Sequence, residues 1–312
     1  MRLALAALCL GLALPAPARA ADQLTLLLDW FVNPDHAPII VAQELGYFAD
    51  AGLEVEIIAP ADPNDPPKLV AAGQAEIAIS YQPQLHIQVD QGLPLARIGT
   101  LVATPLNSLV VLADGPIERV SDLAGRTVGF SVGGFEDALL GAMLTEHGLT
   151  LDDVELINVN FNLSSALLTR QVDAVIGAFR NFELNQLAIE GSAGIAFYPE
   201  EEGVPAYDEL IFVTHRELVG DSRLPRFLDA IEAATLHILN HPDAAFELFV
   251  AGRAELDDEL NRRAWHDTLP RFALRPAALD RARYSRFARF LEEQDLIGPP
   301  PPVEDYAVEV GR

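Results

Sequence analysis

Aromatic rings and hydrogen-bonding side chains lie together in the segment Asp29–His36, which reads DWFVNPDH. Trp30 offers a flat face to a planar ligand, and Asn33 offers both an amide acceptor and an amide donor. The segment follows an apolar stretch that is typical of a strand, and strand ends are where α/β proteins place ligands. We therefore expect Trp30 and Asn33 to contact a ligand. The alternative is that Asp35 caps a helix while Trp30 fills the core.

Two further segments combine rings with polar groups after strand-like stretches. In the first, Tyr81 can stack on a ring or donate its hydroxyl, unless this stretch is simply a helix start that Ser80 caps. In the second, Phe179, Asn181 and Glu183 place a ring, an amide and a carboxylate within five residues. A carboxylate that accepts two N–H bonds recognises an amine-bearing heterocycle directionally. The alternative for Glu183 is stabilisation of a helix N-terminus.

A glycine pair and a lone histidine complete the candidate chemistry. Gly133 and Gly134 precede a predicted helix and would let backbone N–H groups approach a ligand, although the pair is equally typical of a plain turn. His36 has no second His or Cys at metal-ligand spacing, so we expect a structural histidine and no metal. The sequence contains no HExxH or GxxxxGK[ST] motif. We therefore expect no catalytic residue and no cofactor.

Apolar periodicity alternates between strands and helices along the chain, which predicts an α/β protein with mostly parallel sheets. The helices that matter below are predicted at Ala37–Ala49, Arg223–Phe249 and Pro276–Gln294. The proline run Pro299–Pro302 is expected to end regular structure.

Two α/β units followed by helices predict two lobes with a ligand cleft between them. The stretches Ser108–Leu112 and Tyr207–Thr214 are the natural crossing strands. Lobe 1 would then combine residues 21–110 with 207–312, and lobe 2 would span 111–206.

The amino terminus reads as an export signal. Arg2 precedes an apolar run of 12 residues, Leu3–Leu14, and Ala18–Ala20 forms a small-x-small cleavage site. A run of this length is too short to span a bilayer. We expect residues 1–20 to be removed near Ala20 and the protein to be periplasmic. The single cysteine, Cys9, lies within this segment.

Composition narrows the possible partners. Of 312 residues 50% are hydrophobic, which is enough for a full core. The formal net charge of −25, from 21 Lys and Arg against 46 Asp and Glu, repels nucleic acids. We therefore expect a monomer that binds a small molecule and no nucleic acid.

The stretch Leu28–Ile57, LDWFVNPDHAPIIVAQELGYFADAGLEVEI, resembles the NMT1/THI5-like proteins. The resemblance continues through Gly73–Ala78, Asp173–Gly177 and Phe179–Glu183. It implies a type II periplasmic-binding-protein fold and a role in an ABC importer, with membrane permease subunits as partners. The implied ligand is a thiamin pyrimidine precursor, either hydroxymethylpyrimidine or its formylaminopyrimidine relative.

The resemblance also implies site residues. Trp30 and Asn33 match the family's pyrimidine-contacting loop, and Glu183 matches its acidic position. Tyr81 corresponds by its place after the third strand.

Members of the same fold class leave alternatives open. The pyrimidine synthases carry a lysine for pyridoxal phosphate and a cysteine-rich iron motif, but the corresponding position here is Ser80, and Lys68 lies elsewhere. Riboflavin is flat and remains possible. Binders of alkanesulfonates or nitrate would need a positive site, which Arg180 could supply but Glu183 opposes.

Overall fold

The computed structural model describes residues 21–311, which form two five-stranded sheets flanked by helices. The strands are β1 (Asp22–Leu27), β2 (Leu53–Ile58), β3 (Ile77–Ser80), β4 (Leu95–Val102), β5 (Asn107–Leu112), β6 (Thr127–Phe130), β7 (Glu155–Asn158), β8 (Ala174–Phe179), β9 (Gly194–Phe197) and β10 (Leu210–His215). The helices are α1 (Ala37–Glu44), α2 (Tyr47–Asp50), α3 (Pro66–Ala71), α4 (Gln82–Asp90), α5 (Glu136–Glu146), α6 (Leu163–Leu168), α7 (Glu183–Ile189), α8 (Arg223–Asn240), α9 (Pro242–Val250), α10 (Glu259–Thr268) and α11 (Arg281–Glu293).

Each sheet contains one antiparallel strand among parallel ones. The first sheet has the order β2-β1-β3-β10-β4, and β10 runs antiparallel to both of its neighbours. The second has the order β7-β6-β8-β5-β9, with β5 antiparallel to both neighbours. β5 is the first strand after the chain crosses from the first sheet to the second, and β10 is the first strand after it crosses back. The expected mostly parallel arrangement therefore holds, with one exception per sheet that the chain crossing explains.

The two crossing segments are tied to each other. The buried Glu209 carboxylate accepts hydrogen bonds from the backbone N–H groups of Leu106, at 2.5 Å, and Asn107, at 2.9 Å. Arg180 donates to the Leu106 and Asn107 carbonyls and forms a paired contact with Glu200. Its guanidinium is thereby committed to the crossing region.

The parallel strands explain why distant loops meet. The candidate segments follow β1, β3, β6 and β8, so they lie at the carboxyl ends of the two sheets, which face each other. Contacts between the two sides are direct. Asn64 accepts from the Gly133 N–H at 3.0 Å and donates to the Ser131 carbonyl at 3.2 Å. The Tyr81 ring stacks on Phe135 with ring centroids 4.7 Å apart.

Two predicted helices were wrong because they ran through residues that break helices. The helix expected over Ala37–Ala49 splits into α1 and α2 at Gly46, whose φ of 75° is left-handed. The helix expected over Arg223–Phe249 splits into α8 and α9 at His241, immediately before Pro242. Proline lacks an N–H and restricts the residue before it, so the helix restarts there.

The carboxyl-terminal predictions also need correction. The helix expected from Pro276 begins only at Arg281, since Asp280 caps it and the carbonyls of residues 276–278 are held elsewhere. They accept hydrogen bonds from Arg97, a fully buried residue of β4 that also donates to the Val308 carbonyl. Regular structure continues beyond Pro299–Pro302, with a 3₁₀ turn and a bridge between Arg97 and Ala307.

The predicted export segment, residues 1–20, lies outside the described residues. Within residues 21–311, no helix has both the length and the apolar character that crossing a bilayer requires.

Candidate functional site

A cavity with about 400 Å³ of empty space lies where the carboxyl ends of the two sheets meet. Part of this space is open to solvent. The lining residues come from both sides: Asp29, Trp30, Asn33, Asp35, Tyr81, Glu136, Leu163, Gly177, Phe179, Phe182 and Glu183. No Arg, Lys or His is among these lining residues, whereas four carboxyl groups are.

Hydrogen bonds hold the loop after β1 in one shape. The Asn33 amide oxygen accepts from the Asp35 N–H, and the Asn33 N–H donates to Nδ1 of His36. Asn33, rather than Asp35, therefore caps the short 3₁₀ turn Pro34–His36. Because Nδ1 of His36 accepts, the ring proton lies on Nε2, which donates to Asp29 at 3.0 Å. His36 is buried and lies behind the cavity as a structural residue.

Asp29 accepts a second hydrogen bond, from the residue that follows β3. The Tyr81 hydroxyl donates to its other oxygen at 2.9 Å. Burial, followed by the charge of Asp29, raises the pKa of Tyr81 well above its usual value, so the hydroxyl stays neutral and donates. The Ser80 hydroxyl donates to Gln84 within α4 and does not cap the helix.

Aromatic rings form the flat parts of the wall. Trp30 is half-buried and meets Phe161 edge-to-face at 4.5 Å and the exposed Phe31 at 5.3 Å. Tyr81 stacks on Phe135 and meets Phe179 edge-on at 6.5 Å. Rings that are held by neighbouring rings present a pre-formed surface to a planar guest.

Glu136 occupies space that a glycine leaves free. Its carboxyl group accepts the Ser131 N–H at 2.7 Å and lies so close to Gly177 that a Cβ there would be 2.4 Å away. Gly177 also has a φ of 97°, which L side chains rarely adopt. Burial raises the pKa of Glu136 to about 8, despite its hydrogen bond from Ser131.

Glu183 and Asp35 are the other two lining acids whose pKa is raised. Glu183 accepts the Phe179 N–H at 2.6 Å, yet burial raises its pKa to about 8. Burial also raises the pKa of Asp35 to about 6, against the lowering influence of His36. At neutral pH Glu136 and Glu183 are therefore mostly protonated, whereas Asp35 is largely ionised. Two donors support the Asp29 carboxylate.

The structure brings together five of the eight predicted site residues: Trp30, Asn33, Tyr81, Phe179 and Glu183. The other three, Gly133, Gly134 and Asn181, do not line the cavity. Asn181 is buried immediately beside it and donates to Asp35 and Thr268. The Gly133 N–H is used by Asn64. A ligand role for these three remains a prediction.

Six lining residues are outside the predicted site: Asp29, Asp35, Glu136, Leu163, Gly177 and Phe182. Gly177 carries a usable signal, since a glycine inside an apolar strand indicates that another group approaches closely. Glu136 reads in the sequence only as a group that opposes anions. The position of Asp35 depends on Asn181, 146 residues away, so no local pattern could reveal it.

Neither a metal nor a lysine-bound cofactor has an evident place in this cavity. Within residues 21–311, no group of three or more His, Cys, Asp or Glu side chains is arranged to hold a metal ion. Lys68, the single lysine of the chain, is exposed on α3 and is not among the lining residues.

Comparison with known proteins shows which family this chain belongs to. The sequence model described as NMT1/THI5 like matches residues 33–245, which is more than half of the chain. The chain belongs to the NMT1/THI5-like family. The expected family resemblance is therefore confirmed.

Relatives within this family carry two kinds of names. The chain is 53% identical over 302 residues to a Haemophilus influenzae protein with the provisional name of a thiamine biosynthesis protein, covering 96% of each. It is 32% identical to the formylaminopyrimidine-binding protein of Halalkalibacterium halodurans, covering 80% of this chain and 76% of that one. It is also 25% identical to the 4-amino-5-hydroxymethyl-2-methylpyrimidine phosphate synthase of Legionella pneumophila, covering 87% and 88%.

Solved structures confirm the fold. The alkanesulfonate-binding protein SsuA of Xanthomonas axonopodis pv. citri superposes with a TM-score of 0.73 at 14% identity, covering 93% of this chain and 99% of that one. The two sheets, their crossing strands and this likeness show the type II periplasmic-binding-protein fold that the resemblance implied.

Proposed function

We propose that this NMT1/THI5-like protein is a periplasmic carrier that captures an aminopyrimidine precursor of thiamin and delivers it unaltered to an ABC permease. One observation carries the proposal: the cavity has flat aromatic walls and four carboxyl groups, with no basic side chain among its lining residues. Such a wall favours a neutral or cationic ring with N–H donors and repels anions. The relative named for formylaminopyrimidine binding supports the same ligand class.

The protonation of Glu183 fits the hydrogen-bonding edge of an aminopyrimidine. A protonated carboxyl group presents an O–H donor beside a carbonyl acceptor. An aminopyrimidine edge presents a ring-nitrogen acceptor beside an exocyclic N–H donor, so the two match in both directions. If the proton moves to the ring nitrogen, the same pair becomes a charge-assisted contact. Trp30 would cover one face of the ring, and Tyr81 or Phe179 the other.

Capture would proceed by closure of two lobes. We propose that residues 21–110 with 207–312 and residues 111–206 move about the crossing segments that Glu209 joins. Because the cavity wall is shared between both sides, a ligand would contact both and favour the closed state. The permease would then recognise this closed form of a monomeric carrier.

A titration against chemically distinct ligands tests the proposal. We expect hydroxymethylpyrimidine or formylaminopyrimidine to bind with micromolar or tighter affinity by calorimetry, and taurine, nitrate and riboflavin to fail to compete. Competition by taurine or nitrate would contradict the acidic-cavity argument. Competition by riboflavin would instead show that the flat walls accept a larger heterocycle.

A separate assay addresses catalysis. We expect incubation with pyridoxal phosphate to produce no imine absorbance band, because Lys68 lies outside the cavity. We also expect the bound pyrimidine to be recovered chemically unchanged. An imine band that disappears in Lys68→Arg would support the synthase alternative over the carrier.

A further inference from the structure

Asp35 is buried where the two sides of the cleft touch. It is 1% exposed, lies in the 3₁₀ turn before α1 and lines the cavity. Its oxygen Oδ1 accepts from Nδ2 of Asn181 at 2.7 Å and lies 3.1 Å from the Thr268 hydroxyl. Asn181 follows β8 of the second sheet, whereas Thr268 ends α10. Oδ1 therefore takes part in a three-way contact between the two sides.

Further hydrogen bonds join α7 and α10 beside this contact. Nδ2 of Asn181 also donates to the Thr268 hydroxyl at 2.7 Å, and that hydroxyl shares its single proton between Asp35 and the Ala264 carbonyl. Asn185 of α7 donates to Asp267 of α10 at 2.8 Å. These bonds hold α7 and α10 together, and they use only one of the two Asp35 oxygens.

The other oxygen, Oδ2, is buried without a hydrogen-bond partner among the described residues. A carboxylate oxygen in this position costs free energy unless something donates to it. Protein groups occupy Oδ1, and Asp35 lines the cavity, so a molecule bound in the cavity can supply the donor that Oδ2 lacks. Because the pKa of Asp35 is about 6, the group is largely ionised at neutral pH and acts as an acceptor.

We propose that Asp35 determines ligand specificity: Oδ2 accepts an N–H of the ligand's exocyclic amine while Oδ1 joins the two sides of the cleft. This inference rests on the proposed function and extends it, because it assigns the amine to a residue that local sequence patterns do not reveal. An amine would then be recognised only when closure has brought Asn181 to Asp35. A ligand without the amine would leave Oδ2 buried and unpaired.

The test combines one substitution with one change in the ligand. Asp35→Asn can keep an oxygen toward Asn181 and Thr268 while it places an NH₂ donor where Oδ2 was. The ligands are hydroxymethylpyrimidine and its analogue with hydrogen in place of the amine. We expect the wild type to prefer the amine-bearing ligand by about 10- to 100-fold. Asp35→Asn should lose most of that preference, mainly by weaker binding of the amine-bearing ligand.

Thr268→Val is the matched control, because it removes the contact with Oδ1 and leaves Oδ2 intact. It should weaken both ligands by a similar factor and preserve the preference. Thermal unfolding of each variant establishes that it is folded. The preference of the wild type for the amine-bearing ligand is a test that requires no variant.

The outcomes separate this inference from the function on which it rests. Equal wild-type affinity for the two ligands would overturn the role of Asp35, and so would an Asp35→Asn variant that weakens both ligands equally. If neither pyrimidine binds the wild type while another ligand class does, the proposed function itself fails.

Discussion

Trp30 links the aromatic wall to the rest of the loop after β1. Its edge-to-face neighbours are Phe161, on the other side of the cleft, and Phe31, which is 46% exposed. Trp30 borders the cavity and Phe31 does not. The pair therefore allows stacking on a ligand to be separated from aromatic packing at the rim.

Trp30→Ala should weaken binding of the aminopyrimidine by at least about tenfold, since stacking on an aromatic side chain is worth about 1–3 kcal/mol per ring. The half-buried position predicts a folded variant. Isothermal calorimetry measures the affinity and circular dichroism the fold.

Phe31→Ala removes a neighbour of Trp30 that does not reach the cavity, so its affinity should stay within about threefold of the wild type. Unchanged affinity in Trp30→Ala, or an equal loss in both variants, would remove Trp30 from the set of ligand contacts.

At the residue scale, the sequence predicted the residues that follow strands but not those defined by distant contacts. Trp30, Tyr81 and Glu183 line the cavity, and each follows a strand closely enough for the sequence to suggest its place. Asp35 was interpreted as a possible helix cap, whereas Asn33 performs that role and Asp35 meets Asn181. Such a contact between segments far apart in the chain leaves no local trace.

At the scale of elements, β8 depends on a glycine that makes room for another element. Gly177 combines a left-handed φ with the closest approach of the Glu136 carboxyl group from α5. A Cβ there would force the Glu136 carboxyl group out of its place in the cavity wall.

Gly177→Ala should destabilise the fold by more than about 2 kcal/mol, because a left-handed φ alone costs about 1–2 kcal/mol and the Glu136 contact adds steric overlap. Chemical denaturation measures the free energy of unfolding.

Gly191→Ala serves as the control, since Gly191 has a φ of 77° but no atom within 4 Å of the point where a Cβ would stand. Its loss should be about 1 kcal/mol and should reflect backbone conformation alone. Equal losses in the two variants would contradict the importance of the Glu136 approach.

Element boundaries were missed for two reasons. Gly46 and Pro242 divide two helices that the apolar periodicity predicted as continuous, and packing decides where α11 begins. The crossing strand predicted at Ser108–Leu112 agrees with β5 to within one residue. The predicted start at Pro276 failed because Arg97, far away in β4, holds the carbonyls of residues 276–278. A buried cation that binds carbonyls prevents a helix that periodicity alone would allow.

At the scale of the whole molecule, the buried acids couple stability to pH. Burial raises the pKa of Asp35 to about 6, of Glu209 to about 7, and of Glu136 and Glu183 to about 8. In the unfolded chain these groups ionise near their ordinary values. The folded protein therefore keeps protons at neutral pH that the unfolded chain releases, and its stability decreases as pH rises.

The thermal midpoint of the ligand-free protein should fall by at least about 3 °C between pH 6 and pH 8. Glu183→Gln removes one titrating group and should make this dependence shallower. A midpoint that rises over the same interval would show that these carboxyl groups are ionised in the folded state.

The place of β10 between β3 and β4 has a consequence for how the chain assembles. All strands of the second sheet come from the continuous stretch 107–197. In the first sheet, β3 and β4 lack the strand between them until residues 210–215 are available. A chain emerging amino end first can complete the later sheet before the earlier one, since closing long-range pairings is slow. Until then β3 presents an open edge, which is prone to pair wrongly. We expect a chaperone that binds nascent chains to bind at β3. We also expect the insertion of β10 to be the last step of refolding.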